Sequence, residues 1–497
     1  MIHPKVCLCL TCETIEEDLK MIEKYRNWID MVELRVDYLS PDERLHIRKF
    51  PSLAGLPAIL TIRRQVDGGN FIEGEATRTI LFSRALAFAY QDISKNFAYI
   101  DLEEDFHVPG LQDAAFAFGT RIIRSYHNMK DPIQDIAKKM DSMRTTGYEI
   151  PKIACMPHSL RDVTSMFEQS KLIDYEHILL AMGPFGVPSR ILAQRLGSFL
   201  SYSSPSETRG NLCVLNHLDP RTLVETYNFR LIDDDTKIFG VTGSPLIATS
   251  SPLIHNAGYR AHGMNAVYIP VRSDTPEEAI EFANQLNIKG LSVTFPHKQA
   301  IIKELKQISE KTGAIGACNT VVRREDGWYG YNTDSYGLKK ALMEFTGLQN
   351  FKHKKVAIIG AGGAARAAAN VVKELNGKCC IFNRTVSKAR YIAELYRFKY
   401  AALSPDSVDM LDLYSDIIIQ TTSVGMVNTE KKQNLIDPIF FYDFNGHEFV
   451  YDIVYEPKKT PLLRRAEAAG CHIQNGYSML KNQGYEQFSL FTGESYE

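Results

Sequence analysis

The segment YEIPKIACMPHS sets a lysine, Lys152, in a short apolar run bracketed by Pro151 and Pro157. A run that short between prolines reads as a buried strand. An ammonium is costly to desolvate, so a lysine there needs a chemical reason. Residues two apart on a strand share a face, which groups Lys152 with Ala154 and Met156, and Glu33 with Arg35 in VELRVDY. Other apolar runs contribute Arg63, Asp101, Glu103 and His127. A buried lysine beside other cations is expected to become a neutral amine. Such an amine attacks a carbonyl to form a Schiff base, a histidine moves protons, and arginines hold a carboxylate. Lys152 reads as a nucleophile.

The second half carries a different chemistry. KKVAIIGAGGAARAAANVV is an apolar strand, a glycine turn and a small-residue helix. In GAGGAA the backbone of Gly360 and Gly362 can approach a pyrophosphate, with Gly363 and Ala364 following at the helix start and Ala365 allowing close helix–strand packing. The next strand ends in Asn383, Arg384 and Thr385. An acidic residue there would bind the ribose hydroxyls of NAD, whereas an arginine pairs with the 2′-phosphate of NADP. LSVTFPHK puts Thr294 and Lys298 at a strand-to-helix turn, and GYNTDSYG puts Asp334 in a polar, glycine-flanked loop. A lysine and an aspartate held together in a cleft make a proton relay for a carbonyl being reduced.

Elements must bring these groups together. The first 205 residues alternate β-type runs with helix-length segments, and the runs are KVCLCLTC, MVELRVDY, PAILTIR, FAYIDLE, TRIIRSYH, PKIACMP, HILLAMG and GSFLSYS. Eight β/α units in a little over 200 residues fit a (β/α)8 TIM barrel, whose active site lies at the C-terminal ends of the strands, where His127 falls. Residues 206–235 read as a polar connector. A new α/β alternation begins at KIFGVTGSP.

The set ELRVDY, TIRRQVDGGNFIEG, YIDLE, SYHNM, PKIACMP and GVPSR resembles the type I 3-dehydroquinate dehydratase family. The resemblance implies that Lys152 forms an imine with the substrate ketone and that His127 is the general acid/base. It also implies that Glu33, Arg35, Arg63 and Arg190, with Ser189 beside it, hold the carboxylate and hydroxyls. Asp67 stands before Gly68 and Gly69 where that family usually has glutamate. The family's closing loop aligns with either CVLNH or SSPSE, and its contacts are left unassigned.

GSPLIATSSPLIHN, GACNTV, QTTSVGM, DIVYEPKKTPLL and MLKNQGYEQF, with the lysine and aspartate segments, resemble shikimate dehydrogenase. That resemblance implies a catalytic Lys298 and Asp334, and a shikimate pocket lined by Thr249, Ser251, Thr294, Asn319, Tyr455 and Gln483. Ser423, Met426 and Gly476 would lie along an NADP cofactor. Thr249 stands where serine is usual, which keeps quinate open beside shikimate as the alcohol. The order of the halves is that of fused dehydratase–dehydrogenase enzymes. The expected domains are a barrel over 1–230, a substrate domain over 236–344 completed by 476–497, and a Rossmann-type NADP domain over 345–475.

Composition sets the remaining expectations. The chain has 497 residues, 44% hydrophobic and 23% charged, with a net charge of −2. That gives no argument for a nucleic-acid or membrane partner, so small-molecule substrates are expected: 3-dehydroquinate, 3-dehydroshikimate and shikimate. No targeting segment is visible, and the nine scattered cysteines read as reduced thiols of a cytoplasmic protein. No metal is expected, since the CxxC of Cys9 and Cys12 has no second pair of ligands nearby. A non-catalytic metabolite sensor on the same folds is the rival reading, and retention of Lys152, His127, Lys298 and Asp334 argues against it.

Overall fold

The computed structural model describes residues 3–86, 92–207, 217–246, 250–426 and 436–497. The chain forms two compact units. One comprises Met1–Gly240, Tyr259–Asp274 and Glu278–Ile288, the other Val241–Gly258, Thr275–Glu277 and Lys289–Glu497.

In the first unit all eight anticipated runs are strands: β1 Lys5–Leu10, β2 Met31–Arg35, β3 Ala58–Thr61, β4 Tyr99–Glu103, β5 Arg121–Asn128, β6 Ile150–Cys155, β7 Ile178–Ala181 and β8 Leu200–Ser203. They pair in parallel in the order β7-β6-β5-β4-β3-β2-β1-β8. A parallel bridge between His177 and Ser198, with the Phe199 amide donating to the His177 carbonyl at 2.7 Å, joins the β7 and β8 sides. Helices cover the outside and side chains fill the inside, so strands such as Tyr99–Glu103 and Ile150–Cys155 are buried on both faces. The interior set includes Cys9, Ile59, Ile123, Ala154, Ile178, Leu180 and Tyr202.

Residues 217–236 are not a free connector. Leu218 bridges Ser203, Tyr25 donates to Asp219 at 2.9 Å, and Trp28 donates to Glu225 at 3.0 Å. Asp219 and Glu225, between the polar ends that suggested a link, dock this stretch on the first helix, Ile15–Tyr25, and the turn after it.

Past β9 (Lys237–Gly243) and β10 (Ala266–Arg272), the second unit holds two sheets' worth of chemistry. β11 (Gly290–Val293), β13 (Thr320–Arg324) and β14 (Gly327–Tyr331) run antiparallel, with the short β12 (Gln307–Ile308) parallel to β14. A parallel sheet follows: β15 Lys355–Ile359, β16 Lys378–Asn383, β17 Lys399–Ala402, β18 Ile417–Gln420, β19 Phe449–Asp452 and β20 His472–Asn475. Its order, β17-β16-β15-β18-β19-β20, is the doubly wound Rossmann arrangement, with the switch point between β15 and β18. Helix Asp334–Thr346 and the last helix, Tyr477–Thr492, pack closely at Gly337, where a Cβ would stand 2.8 Å from the Gln483 amide nitrogen.

Candidate active sites

In the barrel, adjacent strands deliver Lys152, His127, Glu33, Arg35 and Arg63 to one cavity, which Asp67, Arg190, Tyr202 and His217 also line. Lys152 is 4% exposed. Its Nζ lies 2.9 Å from Asp101 Oδ2 and 3.8 Å from Glu33 Oε1. This corrects the expectation of a lysine set among cations: its direct partners are carboxylates. Lys152 on β6 is in register with Ser125 of β5, and the Ser125 hydroxyl donates to Asp101 of β4 at 2.6 Å, two residues back from its own register partner Glu103.

Arg63 bridges Asp101 and Glu103, each at 2.8 Å, and Arg35 makes a two-point pair with Asp37 at 2.9 and 2.8 Å. Glu33 accepts from Thr61 at 2.9 Å. These charges hold one another as well as facing the cavity. Burial alone would push the Asp101 carboxyl up, but Arg63 and Lys152 outweigh it and hold it far below the carboxylate range. Arg190, on the short helix Val187–Ile191, is 1% exposed, and burial pushes it down to about 10.

His127 is pushed well below the ordinary histidine range by burial, then by Arg63 and Lys152. A neutral imidazole results, ready to accept a proton. Its Nδ1 has no hydrogen-bond partner among the described residues. Asp67 does line the cavity, but its carboxylate is taken by Arg64 Nε at 2.6 Å.

Among the lining residues given no role by the sequence are Tyr202 and His217. Tyr202 follows the period-two interior face of β8, and that alternation was the signal for it. His217 arrives from a non-adjacent stretch, its Nδ1 2.6 Å from Ser204 Oγ, and burial and then Arg190 push it well down. It ends the CVLNH segment, whose residues 213–216 lie outside the described ones.

In the second unit, Lys298 Nζ and Asp334 Oδ2 are 2.5 Å apart, with Asp334 almost fully buried. Asp334 is not in a loop, as its glycine-flanked setting suggested. It opens helix Asp334–Thr346, because Asn332 Oδ1 accepts the Ser335 amide at 3.1 Å and starts the turn. Asn319 Nδ2 sits between Asp334 Oδ1, Gln483 Oε1 (both 3.0 Å) and Thr333 Oγ1 (2.9 Å), so Asn319, just before β13, links Asp334 to the last helix. Thr294 is half-buried after β11, its amide donating to Thr242 O at 2.9 Å. Ser251 begins helix Ser251–Ala261 and Tyr455 lies half-buried after β19. Thr249 lies outside the described residues.

The glycine turn borders this pair. Gly362 caps helix Gly363–Glu374, and a Cβ on Gly363 would stand 3.4 Å from Lys298 Cδ. Gly360 has φ +113°, and a Cβ there would meet Thr421 Oγ1 at 2.7 Å and Thr422 Cγ2 at 2.8 Å. Backbone amides at the start of a 12-residue helix, free of side chains, suit a pyrophosphate. Asn383 ends β16 and Arg384 and Thr385 follow it, with Arg384 exposed and Asn383 Nδ2 donating to Thr385 O at 2.9 Å. Ser423 and Met426 occupy the turn after β18, where the Met426 amide donates to Ser423 O at 3.2 Å, and Gly476 caps the last helix. The residues present therefore fit a dinucleotide with a charged group near Arg384. Among the described residues no group of three or more His, Cys, Asp or Glu could hold a metal ion, and no helix is long and apolar enough to cross a membrane.

Comparison with known proteins agrees along the chain. A family model described as type I 3-dehydroquinase matches residues 6–234. Shikimate dehydrogenase substrate binding domain matches 241–321, and shikimate/quinate 5-dehydrogenase matches 341–439. The bifunctional 3-dehydroquinate dehydratase/shikimate dehydrogenase of Arabidopsis thaliana, named as chloroplastic, is 31% identical over 93% of this chain and 78% of its own. A shikimate dehydrogenase (NADP(+)) of Pyrococcus furiosus is 39% identical over 53% of this chain and 93% of its own. A solved structure, the dehydroquinate dehydratase and shikimate dehydrogenase from S. pombe, covers 100% of this chain and 96% of that one at 22% identity and TM-score 0.42. The chain belongs to the bifunctional 3-dehydroquinate dehydratase/shikimate dehydrogenase family.

Proposed function

We propose that the chain catalyses two consecutive steps: dehydration of 3-dehydroquinate to 3-dehydroshikimate in the barrel, and reduction of that ketone to shikimate in the second unit with NADPH. The observation that carries the reading is that each unit presents its own buried or half-buried amine beside an acid–base partner: Lys152 with His127, and Lys298 with Asp334. The product of the first site is the substrate of the second.

In the barrel, the Lys152 amine adds to the ketone and water leaves, giving an imine that acidifies the neighbouring C–H. Neutral His127 takes that proton and returns it to the departing hydroxyl, and hydrolysis frees the lysine. Asp101 and Glu33 fix the position of Nζ. Arg190 receives the substrate carboxylate, while Arg35 and Arg63, already engaged by carboxylates, shape the polar wall and present remaining N–H groups to hydroxyls.

In the second unit a bound NADPH would supply the hydride. Lys298 and Asp334 hold and deliver the proton that the carbonyl oxygen takes up. Asn319 and Gln483 orient the pair, and with Ser251, Thr294, Tyr455 and Thr249 they line the alcohol pocket. Gly360, Gly362, Gly363 and Ala364 would hold the pyrophosphate of a bound NADPH, Asn383, Arg384 and Thr385 its 2′-phosphate, and Ser423, Met426 and Gly476 would lie along the rest of the cofactor. The domain boundaries that accompany this reading are 1–230, 236–344 with 476–497, and 345–475.

We assign the protein to a reducing compartment, the cytoplasm, supported by eight described cysteines that are all free thiols. One assay tests the proposal: purified protein given 3-dehydroquinate and NADPH should oxidise the nicotinamide and form shikimate. Nicotinamide oxidation with added 3-dehydroshikimate but never with 3-dehydroquinate would remove the dehydratase half of the reading.

A further inference from the structure

Tyr202 is a polar group that the reaction described above leaves unused. It lies on β8, 3% exposed, on the interior face of the barrel. It lines the same cavity as Lys152 and His127. Lys152 Nζ stands 4.4 Å over its ring, and the ring lies within 12° of parallel to that of His217 at 6.3 Å. His217 is in turn tied to Ser204 at 2.6 Å, so the phenol is boxed in on a defined side of the cavity. Yet its Oη is buried and has no hydrogen-bond partner among the described residues. A buried phenol nearly always finds one, because an unmet hydroxyl forfeits its hydration. Burial, then the nearby Glu33, pushes its ionisation well up, which leaves a neutral donor.

We propose that Tyr202 Oη donates a hydrogen bond to the dehydratase substrate, at an oxygen on or next to the ring carbon that Lys152 attacks. The position of Nζ over the phenol ring confines the contact to that end of the substrate, and a polyhydroxylated cyclic ketone offers oxygens there. The inference rests on the dehydratase reading of the barrel.

Tyr202→Phe deletes Oη alone and keeps the ring against Lys152 and His217. The expected result is a fall in kcat/KM for 3-dehydroquinate of about three- to tenfold, the scale of one net hydrogen bond. The substrate concentration that half-saturates borohydride trapping on Lys152 should rise by the same factor. Trapping at saturating substrate should still go to completion, which a merely damaged pocket would not allow. A variant within twofold of wild type in both readouts overturns the proposal, and so does one that no longer traps at saturation, since the hydroxyl is then needed to hold the pocket or the lysine in working order and not merely to bind substrate. Wild-type protein that neither dehydrates nor traps 3-dehydroquinate overturns the dehydratase reading itself.

Discussion

Asp101 receives Lys152 through one carboxylate oxygen at 2.9 Å and Arg63 through the other at 2.8 Å. All three side chains are at most 5% exposed. Removing one member of such a buried set leaves the others charged without full compensation. Asp101→Asn should therefore cost about 3–5 kcal/mol of barrel stability. It should also lower the dehydration rate, since Nζ loses its anchor. Urea unfolding followed by activity at saturating 3-dehydroquinate checks both, and an unchanged midpoint would refute the ion-pair account.

His127 and His217 give the barrel a pH dependence with a definite sign. Both are held neutral in the folded state, by burial first and then by the cations around them: Arg63, Lys152 and Arg35 for His127, and Arg190, Arg35 and Lys152 for His217. Above the ordinary histidine value of about 6.5 neither folded nor unfolded imidazole is charged, and these groups contribute no slope. Below it the unfolded chain binds protons that the folded one refuses, so stability falls as pH falls, by up to about 1.4 kcal/mol per pH unit for each histidine. His217→Gln should flatten the drop in unfolding midpoint between about pH 6.5 and 5. An equally steep drop in the variant would contradict the assignment of that slope to His217.

Arg384 is exposed at the end of β16, one strand away from the glycine turn. The proposed pairing with a 2′-phosphate would be worth about 1.5–3 kcal/mol, or roughly ten- to a hundredfold in affinity. Arg384→Ala should weaken NADPH by that factor and barely alter NADH. Equal losses for the two cofactors, measured by titration, would sink the assignment.

Gly360 combines a positive φ of 113° with a close approach to Thr421. Alanine there is strained and must displace the Thr421 side chain, which lies 2.7 Å from the new methyl. Gly360→Ala should raise the KM for NADPH more than tenfold, as a rough scale for a distorted pyrophosphate loop. Dehydration of 3-dehydroquinate should be unaffected, and a parallel loss of it would contradict two separate sites.

The sequence disclosed the barrel because parallel strands covered on both faces read as separate apolar runs, and all eight were found. It disclosed Lys152 for the same reason, since a charge inside such a run stands out. The partner was harder. Asp101 and Lys152 lie on strands separated by β5, and only closed register reveals which charges meet. Asp334 was read as a loop residue because glycines flank it, whereas the hydrogen bond from the Ser335 amide to Asn332 depends on a side-chain direction that composition does not carry. His217 ends CVLNH, one of the two segments aligned with the closing loop, but its contact with the cavity was left unassigned because no periodicity links it to the barrel.

The central claim is that one chain holds two independent sites. The steady-state rates of both half-reactions, measured for Lys152→Ala and Lys298→Ala, test it most directly. Lys298→Ala should lose about 10²–10⁴-fold in reduction of 3-dehydroshikimate, the usual contribution of a general acid–base group, and still dehydrate 3-dehydroquinate at the wild-type rate. Lys152→Ala should abolish dehydration and leave reduction of added 3-dehydroshikimate intact. Loss of both activities in either variant, in protein that remains folded, would contradict the account.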